Sequence, residues 1–112
     1  MIKVSLKPLS YQVRADLFHS LASMEKAGLP AQKAVALLHL AGEGRIRLDK
    51  LRNLMSPGVD MATAGEKSRL FTPLEVSMVR AALHAGSPAT MYRRLADSYS
   101  QHAQQINLEC YS

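Results

Sequence analysis

Histidine, cysteine and carboxylate side chains could bind a metal or catalyse a reaction, and in this chain they are dispersed. None of the four histidines (His19, His39, His84 and His102) has a histidine or cysteine three or four residues further on. Metal sites need converging ligands, often at such short spacings. The single cysteine, Cys110, has no neighbouring base that would activate it as a nucleophile. We therefore expect no metal site, no cofactor and no catalytic residue.

The segment Gly42-Glu43-Gly44-Arg45 has the composition of a phosphate-binding loop. A P-loop follows a strand and ends in Gly-Lys-Ser or Gly-Lys-Thr, whereas this segment follows a helical pattern. It is interpreted as a connection between two helices. The carboxylates show no enzyme pattern either, because each lies near a basic residue or a helix N-terminus, where ion pairs and caps account for it. The sequence predicts a protein that is not an enzyme.

Basic residues outnumber acidic ones by 14 to 9, which gives a net charge of +5 and suits an anionic partner. Two basic groups form the candidate partner interface: Arg45, Arg47, Lys50, Arg52, Arg93 and Arg94. Arginine and lysine are poor core residues, so we expect all six at the surface. A solvated helix face is the simpler interpretation of such groups, and a partner-binding surface is the functional one.

The elements that would position these residues are helices, because apolar residues recur at helical spacing between short breakers. The predicted helices cover 10–27, 30–41, 45–56, 60–68, 73–85 and 88–108. Together they form a compact all-α bundle in a single domain over 10–108. An extended lead-in over 1–9 precedes it, and a tail over 109–112 follows. No apolar run has the length of a membrane span.

The pattern within two helices predicts which faces are buried. The first helix should bury Val13, Leu17, Leu21 and Met24. The fifth should bury Leu74, Met78, Ala81, Ala82 and Ala85. A capping box, Thr72-Pro73-Leu74-Glu75, is expected to start the fifth helix, and Asp60 is expected to cap the fourth.

The last third also allows a helix-turn-helix interpretation, in which a glycine turn, Gly86-Ser87-Pro88, separates two helices. The second helix would begin Ser87-Pro88-Ala89-Thr90, with no Arg, Asn or Gln to contact base edges before Arg93. It is also longer than a typical recognition helix. A small basic DNA-binding protein is the alternative function.

Three stretches, taken together in their order and spacing, resemble the cytoplasmic domain of the type II secretion system F family. The first is an apolar helix ending in Ala27-Gly28-Leu29-Pro30. The second is Leu70-Phe71-Thr72-Pro73-Leu74, followed by Met78-Val79-Arg80-Ala81. The third is Ala85-Gly86 with Leu95-Ala96-Asp97-Ser98-Tyr99. The resemblance covers roughly residues 14–100 and implies an antiparallel six-helix bundle.

Two positions depart from the family pattern. Relatives carry a Gly-Glu pair where this chain has Ala82-Leu83, and in some of them the glutamate helps to hold a metal ion between subunits. Leucine cannot coordinate a metal, so we expect no divalent metal site here. Gly65 stands where an apolar residue is usual, which predicts a fourth helix that is short or poorly packed.

The resemblance implies a non-enzymatic role in a PilC-like inner-membrane platform protein of type IV pilus assembly or type II secretion. Such a protein couples the cytoplasmic assembly ATPase to pilin polymerisation. The implied partners are that ATPase, other inner-membrane assembly proteins, pilin subunits and a second copy of the chain, with no specific nucleic acid. The domain would lie at the cytoplasmic face of the bacterial inner membrane, with the tail leading toward a membrane segment beyond this chain.

Overall fold

The computed structural model describes residues 7–111, with side chains described for residues 7–106. These residues form six α-helices and no strand, which confirms the predicted all-α bundle. The helices are α1 (Tyr11–Lys26), α2 (Ala31–Leu37), α3 (Gly42–Met55), α4 (Met61–Lys67), α5 (Pro73–Ala85) and α6 (Pro88–Tyr111). Most of the predicted lead-in, residues 1–6, lies outside the described residues, as does Ser112 of the tail.

Side-chain caps fix where two helices begin, as the sequence predicts. The Asp60 carboxylate accepts a hydrogen bond of 3.0 Å from the Thr63 amide at the start of α4. The capping box of α5 is complete: the Glu75 amide donates to the Thr72 hydroxyl at 3.2 Å. In return, the Thr72 amide donates to the Glu75 carboxylate at 2.9 Å. Each bond satisfies an amide that the helix itself leaves unpaired.

The boundary between α2 and α3 differs from the prediction. Helix α2 ends at Leu37 instead of continuing to 41, because Leu38 is extended (ψ 143°) and its side chain is buried. Helix α3 begins at Gly42, so Gly42-Glu43-Gly44-Arg45 is its first turn and not a connection. A Cβ on Gly44 would lie 3.2 Å from Leu40 Cβ, so the glycine allows the chain before α3 to approach closely.

Each helix packs against its neighbours in the chain, and α6 returns to pack against α1 in the largest helix–helix contact. The two run in opposite directions, because Tyr11 at the start of α1 stacks on His102 late in α6. Further along α1, Phe18 stacks on the earlier residue Tyr92. The α1 residues Leu17 and Leu21 are buried, as predicted.

The buried face of α5 is only partly the predicted one. Leu74 is 67% exposed, and Ala81 and Ala85 are also exposed. Of the predicted residues, Ala82 is buried and Met78 is partly buried, and the helix also buries Glu75, Val76 and Val79. The apolar stripe assumed in the sequence excluded Glu75, whereas the structure buries this carboxyl group among hydrogen-bonding partners from other helices.

Helix α4 is short, as predicted from Gly65, but it is well packed. Gly65 is buried, and a Cβ added there would lie 2.1 Å from Cδ2 of Phe71. The Phe71 ring therefore occupies the space that a side chain at 65 would need. The expectation of poor packing is wrong, because the aromatic ring supplies the missing apolar volume.

Candidate partner-binding surfaces

Arg47 lies in the interior, so its predicted surface position is wrong. Only 4% of the residue is exposed. Its guanidinium donates to the carbonyl oxygen of Lys7 at 2.8 Å and to that of Arg69 at 3.0 Å. It also forms an ion pair of 3.3 Å with Glu43. These carbonyls belong to distant parts of the chain and replace the water that an arginine otherwise needs.

Arg52 is half-buried, and its side chain caps the end of α2. Its Nε donates to the Val35 carbonyl at 2.9 Å, and one Nη donates to the Leu38 carbonyl at 2.5 Å. The last carbonyls of a helix have no partner within it, so this guanidinium supplies one from α3. Arg52 therefore contributes to the fold rather than to an open basic face.

Arg45 and Lys50 are exposed on α3, as predicted, and an apolar side chain lies beside them. This side chain is Ile46, which is 64% exposed. Residues four apart in a helix share one face, so Lys50 lies one turn from Ile46, and Asp49 lies one turn from Arg45. We call these four residues the α3 surface.

Arg94 is exposed at a groove between α5 and α6, which we call the α5–α6 groove. Its volume is about 400 Å³. The residues that define it here are Tyr11, Leu74, Met78, Arg94, Ser98 and His102. The neighbouring Arg93 is also exposed but does not line the groove. Helix α3 packs on α2 and α4, whereas α6 packs on α1 and α5, so the predicted basic residues fall on separate surfaces.

A buried polar cluster lies beneath the α5–α6 groove. Glu75 has no exposed side-chain surface and forms an ion pair of 3.4 Å with Arg14. The Tyr99 hydroxyl donates a hydrogen bond to the same carboxylate. Burial, followed by this hydrogen bond, raises the pKa of Tyr99 to about 12. The Arg14 guanidinium also lies over the Tyr99 ring, 4.4 Å from its centroid.

Only part of this cluster could be predicted from the sequence. The capping-box pattern identified Glu75, but Arg14 and Tyr99 lie far from it in the chain. Nothing in their spacing shows that α1 and α6 meet at α5. The one available hint was a glutamate at a position that helical periodicity places next to the buried Val76 and Val79.

The family comparison adds to this geometry. The model of the family described as type II secretion system protein F matches residues 17–107. The chain belongs to this family. The match spans all of α2 to α5 and most of α1 and α6, so every helix of the bundle contributes to it. A comparison with curated proteins finds no match.

In some type II secretion system F domains, as the resemblance above implies, one position of the fifth helix carries a metal ligand. Here it is Leu83, which is 36% exposed and has no oxygen to offer a hard cation. Within residues 7–106, no three histidine, cysteine or carboxylate side chains cluster as a metal site would require. Among the described helices, none is long and apolar enough to span a bilayer.

Proposed function

We propose that this chain is a non-enzymatic cytoplasmic domain of an inner-membrane platform protein, which couples an assembly ATPase to pilin polymerisation in type IV pilus assembly or type II secretion. The observation that carries the proposal is the family match over residues 17–107. Family membership supports a protein-binding role in this machinery. It does not favour the helix-turn-helix alternative.

The α3 surface is the proposed contact with the assembly ATPase. Protein interfaces combine an apolar anchor with a polar rim, and rim charges mainly steer the encounter. Ile46 supplies the apolar anchor, and Arg45 and Lys50 supply the rim. An acidic surface on the partner would complement these cations. Arg93 and Arg94 on α6 are the proposed contact with the other partners: inner-membrane assembly proteins, pilin subunits or a second copy of the domain.

A charge-reversal experiment tests this contact. In the double variant Arg45→Glu/Lys50→Glu, both side chains are exposed, so the melting temperature should stay within a few degrees of wild type. Capture of the purified assembly ATPase should fall about tenfold at low ionic strength, which is a loss of about 1.4 kcal/mol. A matched control, Lys26→Glu/Lys33→Glu, reverses two exposed lysines on α1 and α2 and should capture the ATPase normally.

Two results would decide against the proposal. If the wild-type domain captures neither the ATPase nor any inner-membrane component of the machinery, the platform function fails. If the wild type captures the ATPase and both double variants capture it equally well, the platform function stands and the α3 surface is not the contact.

A further inference from the structure

A second cleft, on the side of the molecule where α4 joins α5, concentrates positive charge. Its volume is about 420 Å³. Four cationic side chains line it, Lys7, Arg47, Lys67 and Arg69, together with one carboxylate, Glu66. The whole chain carries a net charge of only +5, so this cleft holds much of the excess. Clustered cations repel one another, and a recess that brings them together has a potential that attracts anions.

Arg47 fixes the geometry of this cleft from below. Its two Nη groups donate to the carbonyl oxygens of Lys7 and Arg69, at 2.8 Å and 3.0 Å. The segment before α1 and the segment after α4 are thereby joined through one buried guanidinium. The backbone carbonyls of Lys7 and Arg69 are held close to each other at this guanidinium. Arg47 is a positioning residue for the cleft.

The backbone at Arg69 adds a second observation. Its φ is 61°, and it is the one non-glycine residue with positive φ among the residues described. Arg69 directly follows the C-cap of α4, where helices often place one left-handed residue, and its amide donates to the Glu66 carbonyl at 3.2 Å. This conformation costs a non-glycine residue about 1–2 kcal/mol. Glycine or asparagine would remove most of this cost. The chain instead keeps an exposed arginine here.

Lys67 and Arg69 are exposed, and neither forms an ion pair with the described residues. Cations near the C-terminus of a helix also complement its dipole, and this accounts for Lys67 at the end of α4. It does not account for an arginine at position 69, where the positive φ favours glycine or asparagine.

We propose that this cleft binds a small phosphate-bearing anion. A phosphate group carries up to two negative charges and several acceptor oxygens, and it therefore needs several converging donors. Arginine provides planar N–H pairs and lysine a compact charge, the two side chains that proteins use for phosphate. Lys67 and Arg69 would contact the anion directly. This inference does not depend on the proposed platform function.

The test uses inorganic pyrophosphate as the probe, titrated into the full chain and followed by backbone amide chemical shifts. Sodium chloride at matched ionic strength provides the reference. We expect saturable shifts centred on residues 66–73 at physiological salt. The variant Lys67→Gln/Arg69→Asn should weaken binding at least about tenfold. Asparagine tolerates positive φ, so the variant should keep its fold, and a thermal melt checks this. Lys67→Gln alone, which leaves the backbone at 69 unchanged, should weaken binding in the same direction.

A matched control, Lys33→Gln, removes an exposed cation on α2 that does not line the cleft and should bind pyrophosphate like the wild type. The proposal fails if pyrophosphate moves the amide signals no further than chloride does, or if Lys33→Gln weakens binding as much as the cleft variants. Vesicles distinguish two sources of phosphate. Binding to phosphatidylglycerol but not phosphatidylcholine vesicles, in competition with pyrophosphate, assigns a lipid headgroup. Pyrophosphate binding without vesicle binding assigns a soluble phosphate compound.

Discussion

The carboxyl group of Glu75 has two roles, one for each of its oxygens. One oxygen completes the capping box of α5 by accepting from the Thr72 amide, and the other meets Arg14 and Tyr99. A buried carboxylate is costly unless it is paired and hydrogen-bonded, and here three partners from three parts of the chain compensate it. The cluster therefore ties the start of α5 to both α1 and α6.

Tyr99 makes the stability of the domain depend on alkaline pH. A tyrosine in an unfolded chain has a pKa of about 10, and burial raises the pKa of Tyr99 to about 12 in the folded domain. Below pH 10 both states keep the proton, and the stabilising contribution is complete. As pH rises from about 10 to 12, the unfolded state loses its proton first, so the free energy of unfolding falls.

Replacing the hydroxyl group tests this dependence. Tyr99→Phe should start from a lower melting temperature at neutral pH, because the carboxylate loses a donor, and then fall less steeply between about pH 10 and pH 12. Thermal melts across that range give the slopes. Tyr11→Phe leaves the hydrogen bond between Tyr99 and Glu75 in place and should keep the wild-type slope. If the melting temperature falls equally steeply with pH in the wild type, Tyr99→Phe and Tyr11→Phe, Tyr99 is not the group responsible for the pH dependence.

The fate of the predicted basic residues shows what a sequence can and cannot reveal about single side chains. Arg45, Lys50, Arg93 and Arg94 are exposed, as their chemistry predicts. Arg47 and Arg52 have the same chemistry but meet free carbonyl oxygens at Arg69 and at the end of α2. Those acceptors become available only through the tertiary arrangement, so no local pattern could distinguish the two arginines from their neighbours.

At the scale of elements, Gly65 and Phe71 determine how α4 packs against the segment that leads into α5. In a helix, alanine is normally more favourable than glycine by about 0.5–1 kcal/mol. The structure predicts the opposite sign here, because the added methyl would overlap the Phe71 ring. Close packing therefore overrides helix propensity at this position.

Gly65→Ala should destabilise the domain by about 2 kcal/mol, the cost of overpacking a tight contact. Chemical denaturation measures the change. The double variant Gly65→Ala/Phe71→Leu should be less destabilised than the sum of the two single variants, because the smaller side chain leaves room for the methyl. A stabilising effect of Gly65→Ala would show that propensity dominates and that the ring does not fill this space.

Helix positions were predicted well and buried faces unevenly. Caps and breakers located all six helices, because those signals are local: Thr72 and Asp60 act within one turn. The face of α1 was predicted in part: two of the four predicted residues are buried, and the other two are partly buried against the core. The face of α5 was also predicted only in part, since the structure buries Glu75 and leaves Leu74 exposed. Apolar periodicity does not predict the buried face of a helix when that face includes a polar residue whose hydrogen-bonding partners are distant in sequence.

The whole molecule is closed by the contact between the first and last helices. Phe18 lies in this contact, stacked against Phe71 and Tyr92, with the Tyr99 ring tilted against it. The ring therefore contacts α6 and the segment before α5 from a position on α1, and Phe18 itself is fully buried. A substitution at Phe18 should therefore destabilise the bundle as a whole.

Phe18→Ala should lower the free energy of unfolding by about 4 kcal/mol, and Phe18→Leu by about 1 kcal/mol. In the wild type and in Phe18→Leu, far-ultraviolet circular dichroism and tyrosine fluorescence should report one coincident transition. The chain has no tryptophan, and three of its four tyrosines, Tyr11, Tyr92 and Tyr99, lie in the contact between α1 and α6, so tyrosine fluorescence reports mainly on this region. Separate transitions for the two probes would show that α1 and α6 unfold independently of the remaining helices.

The antiparallel pairing of α1 and α6 has a mechanical consequence. Because Tyr11 stacks on His102, the chain enters and leaves the bundle at the same end. A tensile load applied through the two flanking segments would pull α1 and α6 apart from that end, one contact after another, instead of sliding them past each other. Peeling of this kind breaks few contacts at a time and yields at lower force than shear. Pulled in this direction, the domain would behave as a compliant joint.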